Sequence, residues 1–344
     1  MGLLTGPLPL IPPSASSANS QQAKGPTVVA LGGGHGLSAS LSALRLLSSE
    51  LTAVVTVADD GGSSGRLREE YGVLPPGDLR MALSALCDDT DWGRTWRDVM
   101  QHRFAPGKPN ATTGQRASLD QHAMGNLLIV TLWELLGDAV DGLRWAGALL
   151  GARGQVLPMS TVPLTIEGDV LVTAPDGSSA TQTISGQARC AVAGKLERVR
   201  LMPAEAPACI EALTAIELAD WVILGPGSWY TSVLPHLLLP EMQQALCDTP
   251  AKRCLTMNLA TDTQETTGMS AADHLHALRK YAPNFGVDVV LADPRSITDR
   301  AEFREAAGML GARVVLANVG AAGHAAVHDP LRLATAYHDI FGNG

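Results

Sequence analysis

Residues 27–37, Thr-Val-Val-Ala-Leu-Gly-Gly-Gly-His-Gly-Leu, restrict the fold more than any other stretch. Residues 27–31 are an apolar, β-branched run of strand length. Glycines 32–36 follow at once, interrupted only by His35, and apolar residues then recur at helical spacing from 37 to 47. A strand that passes through a glycine turn into a helix leaves the first helical N–H groups free, with the positive end of the helix facing the turn. That geometry holds an anion. The turn departs from G-x-G-x-x-G, because Leu37 occupies the third glycine position, and from the Walker A loop, because no Lys-Ser/Thr follows. It reads as a generic phosphate turn, with a plain tight turn as the alternative. His35 is placed to donate to a phosphate, although an isolated histidine is more often structural.

A second β-branched run, 51–57, ends in Ala58-Asp59-Asp60-Gly61-Gly62-Ser63-Ser64-Gly65-Arg66. Strand, helix and strand, with polar residues at each strand's carboxyl end, form a parallel βαβ unit. A carboxylate at that end takes ribose hydroxyls in dinucleotide folds. Two adjacent carboxylates before Gly-Gly-Ser-Ser also suit a divalent cation held against phosphate, with Asp78 nearby; a solvated turn is the plainer reading. Arg66 and Arg68 carry the fork geometry that matches phosphate oxygens, or are surface charge.

Further on, Asp78 is expected to cap a helix running to 86, and 92–102 reads as another helix, with Trp92 and Trp96 as a packing stripe. A polar loop over 104–121 delivers His122 and Asn126 to the start of an apolar helix over 127–136, followed by a helix over 139–149. Residues 155–202 change character: short alternating stretches at 164–167, 170–173, 180–185 and 196–201, with Glu-Gly, Asp-Gly and Ala-Gly turns, read as an inserted β-meander outside the site. A helix from Pro207 to about 219 follows. Strands at 221–224, 253–257, 287–291 and 313–317 then hand over to Gly, Ser, Asn or Asp, and Asp329-Pro330 opens a last helix. In parallel sheets ligands bind at that carboxyl edge, so these clusters are expected to converge. Gly225-Pro226-Gly227-Ser228 is a second glycine turn, followed by Tyr230, Thr231 and Ser232. It lacks the G-x-S-x-G elbow of a serine nucleophile, and no catalytic residue is assigned. His274 and His276, two apart on a helix, face apart and do not form a metal site.

The chain has 344 residues with 46% hydrophobic and 17% charged residues, enough for a sizeable core. A net charge of −9 argues against nucleic acid or an anionic membrane as partner. Five scattered cysteines read as reduced thiols, and no apolar run reaches membrane-spanning length, so a cytoplasmic protein without membrane insertion is expected. The Pro/Ser-rich residues 1–26 read as a disordered tail rather than a signal peptide. The expected organisation is that tail followed by one α/β domain over 27–344, a Rossmann-like, mostly parallel sheet with helices on both faces and a β-rich insertion over about 155–202. A homodimer and regulatory protein partners, not identified by the sequence, are also expected.

Gly32-Gly33-Gly34-His35-Gly36-Leu37-Ser38, Val57-Ala58-Asp59-Asp60-Gly61-Gly62-Ser63-Ser64-Gly65-Arg66-Leu67-Arg68, Pro75-Pro76-Gly77-Asp78-Leu79-Arg80, Gly125-Asn126-Leu127-Leu128 and Gly225-Pro226-Gly227-Ser228-Trp229-Tyr230-Thr231-Ser232 together resemble the YvcK-type gluconeogenesis factors of the CofD-like superfamily. The likeness spans about 27–320. It implies a Rossmann-like cytoplasmic protein that binds a UDP-sugar, UDP-N-acetylglucosamine in studied relatives, and supports cell shape and wall (peptidoglycan) synthesis on gluconeogenic carbon sources. The related CofD enzymes transfer a phospholactyl group to a deazaflavin with a metal held by aspartates; Asp60 and Asp78 look most like those ligands, and Mg²⁺ is the implied ion. This chain has His35 where many relatives have Thr, Gln264 where Gly is usual before Glu265-Thr266, and Met269 where an aromatic is frequent. The expected ligand set is Gly32, Gly33, Gly34, His35, Gly36, Leu37, Asp59, Asp60, Ser63, Ser64, Arg66, His122, Asn126, Gly225, Gly227, Ser228, Tyr230, Thr231, Ser232, Asn258 and Glu265. Within it the two glycine turns cradle the diphosphate, the aspartates take ribose hydroxyls or a cation, and His122, Asn126 and Asn258 line the sugar side. A phospholactyl transferase is the alternative; an NAD-dependent oxidoreductase fits the fold but lacks the G-x-G-x-x-G fingerprint and an acid–base pair.

Overall fold

The computed structural model describes residues 25–107, 117–173, 179–194, 196–324 and 326–342. The expected tail therefore lies outside the described residues up to 24, as does the middle of the 104–121 loop.

The strands in chain order are β1 (Val28–Gly32), β2 (Leu51–Val55), β3 (Gln155–Pro158), β4 (Thr165–Thr173), β5 (Ser179–Ser185), β6 (Leu196–Met202), β7 (Trp221–Leu224), β8 (Lys252–Thr256), β9 (Val289–Ala292) and β10 (Arg313–Leu316). Seven form one sheet in the order β10-β9-β8-β7-β1-β2-β3, and every pairing in it is parallel. Buried on both faces, such strands read as continuous apolar runs, and β1 and β7 are buried at every position.

The chain moves one way along the sheet from β1 to β3 and the other way from β7 to β10. Right-handed crossovers in opposite directions put their helices on opposite faces. Helices α1 (Gly34–Leu44), α2 (Gly62–Tyr71) and α3 (Pro76–Leu86) follow β1 and β2. The last helix, Pro330–Gly342, returns to pack on α1. The direction of winding switches at the β1–β7 pair, where both glycine turns leave the sheet.

Several expectations are corrected. Residues 155–158 pair in parallel with β2 and belong to the main sheet, so the insertion's separate sheet, ordered β5-β4-β6, starts at 165. The stretches at 164–167 and 170–173 are one strand. Gly168 is not a turn but lies opposite Ile184 and Val199, where a side chain would press on Leu196 Cδ2 at 2.8 Å and Cys190 Sγ at 3.3 Å. Asp78 does not cap its helix; α3 starts at Pro76 after Pro75, which turns Asp78 inward from the first turn. The helix expected from Pro207 starts at Ile210. Helix α2 was not expected at all: its Gly-Ser-Ser-Gly-Arg start is polar and lacks an apolar period, and it closes on Gly72 in the left-handed conformation. Trp92 and Trp96 do pack, with centroids 5.7 Å apart, but Trp92 stays exposed and donates to the Leu149 carbonyl at 2.8 Å.

Tyr337 ties the last helix to the switch point. Its buried hydroxyl lies 3.0 Å from Ser40 Oγ on α1 and 2.9 Å from Thr256 Oγ1 at the end of β8. Ser40 in turn donates to the Gly225 carbonyl at 3.1 Å. Tyr337→Phe leaves both hydroxyls short of a partner without opening a cavity. We expect a loss of about 1–2 kcal/mol in urea unfolding with an unchanged m-value; a variant as stable as wild type would refute this tie.

Candidate functional site

The two glycine turns meet. A methyl on Gly36 would land on the carbonyl of Pro226, and Gly32 lies under the same carbonyl. Gly33 precedes α1 in extended conformation, and the first turn of α1 has neither a side-chain cap nor an acidic residue. Behind it, a Cβ on Gly33 would sit 2.5 Å from both Asp78 Oδ2 and Thr56 Oγ1. His35 is exposed beside this turn, while Leu37 is buried in the core and is a packing residue.

The second turn is internally satisfied. Asn258 clamps it through both amide atoms, accepting from Gly227 N at 2.9 Å and donating to Gly227 O at 2.8 Å. The turn continues into a π-helical segment, Trp229–Val233, whose N-terminus already faces a carboxylate: Glu265 accepts from the Trp229 N–H and from Thr231 Oγ1 at 3.3 Å. Burial pushes the Glu265 carboxyl up to about 7 against those hydrogen bonds. Tyr230 points away, its hydroxyl 3.7 Å from Met269 Sδ and its ring against Tyr281. Ser232 is buried beside Gly33 and Gly227. Between the turns opens a cleft of about 430 Å³, lined among others by Gly36, Ser228, Asn258, Gln264, Glu265 and His328. Among the described residues its lining has no lysine or arginine. Ala191, from the β-rich insertion, also lines it, so the insertion is a wall of the site and not a bystander.

The carboxylates divide. Asp78 is half-buried, accepts from Thr56 Oγ1 at 3.4 Å and from the Gly34 N–H, and is pushed up to about 6, by desolvation first and by Asp59 second. Asp59 is raised too, chiefly by burial, while the Gly61 N–H at 2.9 Å and Ser64 hold it down. Asp60, expected to be Asp78's partner, faces elsewhere: it is exposed and its Oδ1 accepts from Ala188 N of the insertion at 2.8 Å. The pair that fits a cation is therefore Asp59 and Asp78. Among the described residues no three His, Cys, Asp or Glu converge on a metal. Two carboxylates suit Mg²⁺ bound with phosphate and water, and do not suit a structural zinc site.

Beside these aspartates lies a buried polar chain. Ser63 meets both His122 and Asn126, and Asn126 meets Arg80, whose pKa burial lowers to about 10. Ser64 sits under Gly77, a side chain at which would crowd the serine and Asp59. Arg66 donates to the Asp120 carbonyl at 2.5 Å and Arg68 to Thr165 Oγ1 at 2.8 Å, so both guanidinium groups serve the scaffold while lining an open cavity of about 470 Å³ with Asp60 and Glu69. Thr56, Arg80 and His328 were missed. Thr56 ends a recognised strand and Arg80 belongs to a quoted motif, so both had a signal; His328 had none. His274 is buried with its ring 4.8 Å from Trp229 and His276 is exposed, as their spacing required.

The family model described as 2-phospho-L-lactate transferase CofD matches residues 28–326. A protein of Mycobacterium leprae named "Putative gluconeogenesis factor" is 47% identical over 319 residues, 92% of this chain and 86% of its own. The protein of Bacillus subtilis named "Gluconeogenesis factor" is 36% identical over 80% of each chain. The crystal structure of a UPF0052-family protein of Bacillus halodurans superposes with a TM-score of 0.76 at 33% identity, covering 91% of this chain and 98% of that one.

Folded Asp78 keeps its proton to about 6 against 3.8 for an exposed carboxyl. Between those values the native state binds more protons than the unfolded chain, so this group's contribution to stability falls as pH rises and is constant above the folded value. Asp78→Asn cannot ionise. Its stability relative to wild type, from urea midpoints at matched pH, is expected to rise by ~2–3 kcal/mol across that window and then level off. A flat difference would argue against a buried Asp78 charge.

Proposed function

The chain belongs to the CofD family, in its YvcK-type group of gluconeogenesis factors, and from that premise we propose that it binds a nucleotide sugar of the UDP-N-acetylglucosamine kind in the crevice at the β1–β7 switch, as a cytoplasmic regulator. The observation that carries this reading is the division of the crevice into an anion end and a neutral end. At the first turn α1 offers the N–H groups beyond the one that Asp78 takes, with no acidic side chain in its first turn. The second turn cannot add a comparable anion site, because Glu265 already holds the N-terminus of its helical segment. The adjoining cleft, uncharged apart from Glu265 among the described residues, offers Ser228, Gln264 and His328 to sugar or base, with Asn258 shaping its wall. The diphosphate thus belongs against Gly33, Gly34, His35 and Gly36, and the second turn forms the wall. By extension from its relatives' names, the protein acts as a gluconeogenesis factor, and the family resemblance extends that role to cell shape and wall synthesis during growth on gluconeogenic carbon.

Calorimetry with UDP-N-acetylglucosamine is expected to show saturable binding, and Gly33→Val to abolish it, since the added side chain meets Asp78 and Thr56. Absence of binding by the folded wild type would sink the proposal.

One observation favours a second reading. The Asp59 charge raises the proton affinity of Asp78, and a divalent cation bound there would relieve that repulsion and present phosphate oxygens. In a phospholactyl transferase these two residues would hold Mg²⁺, which supplies charge neutralisation at the transferred phosphoryl group. Incubation with a deazaflavin acceptor, a nucleotide-activated phospholactate and Mg²⁺ is the test. Turnover that Asp78→Asn abolishes would establish the transferase; no turnover by a wild type that binds the nucleotide sugar would leave the regulator.

A further inference from the structure

We propose that Arg80, Asn126 and Ser63 fix His122 as a neutral imidazole with its proton on Nε2, and that this N–H donates to an oxygen of the bound nucleotide sugar. The second half rests on the nucleotide-sugar reading; the first does not.

The argument is a count of donors along a buried chain. A guanidinium has only donors. Arg80 Nε lies 2.9 Å from Asn126 Oδ1, so the amide oxygen must face Arg80 and the amide nitrogen must face away. That nitrogen, Nδ2, lies 3.0 Å from Ser63 Oγ and donates to it. The backbone N–H of Ala123 donates to the same oxygen at 3.3 Å. A hydroxyl oxygen has two acceptor positions, and both are now used. The remaining hydroxyl proton points to the third neighbour, His122 Nδ1, at 3.1 Å. Nδ1 therefore accepts, and the ring's proton is on Nε2.

Every member of the chain is at least nine-tenths buried: Arg80 is 3% exposed, Ser63 3%, His122 5% and Asn126 1%. Water cannot substitute for a lost partner there, so the order of donors is held. Protonating His122 would place an N–H on Nδ1 facing a hydroxyl with no acceptor position left. Burial and the Arg66 charge also oppose the cation, against a weaker pull from Glu70. Among the described residues nothing accepts from Nε2. Ser63, the ring's partner, lies in the first turn of α2 directly after the Asp59-Asp60 turn, and a donor with no partner among the described residues suits an acceptor oxygen such as a phosphate or sugar carbonyl. It does so without the charge that a lysine or arginine would bring beside Asp59.

The tautomer is read in the free protein by two-bond ¹H–¹⁵N correlation of the uniformly labelled full chain, with His122→Gln identifying the His122 signals. The expected pattern is a protonated Nε2 and an unprotonated Nδ1 at neutral pH. Ser63→Ala, a small change that leaves Asn126 and Arg80 paired, is expected to add Nδ1–H population. A wild-type ring protonated on Nδ1, or on both nitrogens, would overturn the proposal. Affinity for UDP-N-acetylglucosamine tests the donor role: His122→Ala is expected to weaken it about tenfold, and His122→Gln, which keeps an N–H near Nε2, about twofold or less. Wild-type affinity in His122→Ala would overturn that role. Wild type that binds no nucleotide sugar would remove the functional reading, while the tautomer spectrum would still decide the state of His122.

Discussion

The close approach of Gly36 to the Pro226 carbonyl is the constraint on which the site depends. Two strand-to-helix turns can touch only if their strands are neighbours, and β1 and β7 are paired through residues 28–31 and 221–224. They can touch this closely only without a side chain on Gly36. The contact is then held from behind by the Ser40, Tyr337 and Thr256 hydroxyls, which join α1, the last helix and β8 around the Gly225 carbonyl. The switch of winding direction, common to open parallel sheets, here becomes a fixed gap between two backbones.

That gap is asymmetric in charge. Each turn feeds a helical segment, and each segment presents a positive end. At the second, Glu265 is built in as the anion, and its elevated proton affinity reflects how little water reaches it. At the first, the half-buried carboxylate of Asp78 sits behind Gly33 and Gly34 and takes one helical N–H. A ligand anion therefore finds one end occupied and one open. The same asymmetry explains why the cleft lining is neutral on the side of Asn258: its amide is spent on shaping Gly227 rather than on carrying charge.

The main sheet was legible because parallel strands buried on both faces leave apolar runs that end in glycine or polar clusters. Strands 28–32, 51–55, 221–224, 252–256 and 313–316 all follow such runs. The two glycine turns were legible for the same reason, since strand-glycine-helix order is local. What failed was non-local. Gly168 looks like a turn residue, and only the approach of Leu196 and Cys190 from β6 and the short helix before it shows that it is a strand position with no room. Asp59 and Asp60 are adjacent, and alternation along the chain sends one inward to Asp78 and the other outward to Ala188. Helix α2 is held by Leu67 and the buried serines rather than by an apolar period, so no pattern announced it. Arg80 lay within a recognised motif, but only the fold shows that Asn126 and Gln101 receive its N–H groups and that, among the described residues, no carboxylate pairs with it.

The β-rich insertion gains a role from the same geometry. Its short helix, Gln187–Cys190, begins at Gly186, which has no room for a side chain because Asp60 lies against it. Asp60 accepts from Ala188, and Ala191 at the end of this helix reaches the cleft. Arg68 joins β4 from the other side through Thr165. The insertion is thus fastened to the loop and helix that follow β2, the segment that also carries Asp59, Ser63 and Ser64. Displacing that segment would move the wall of the cleft and the aspartates together, because Asp60 links them through one backbone N–H. The second of the two adjacent aspartates, which the sequence offers as a metal ligand, instead couples the insertion's antiparallel sheet to the anion end of the crevice by covalent neighbourhood with Asp59. Adjacent carboxylates at a strand end can therefore divide the work, one facing the ligand and one holding the wall that covers it.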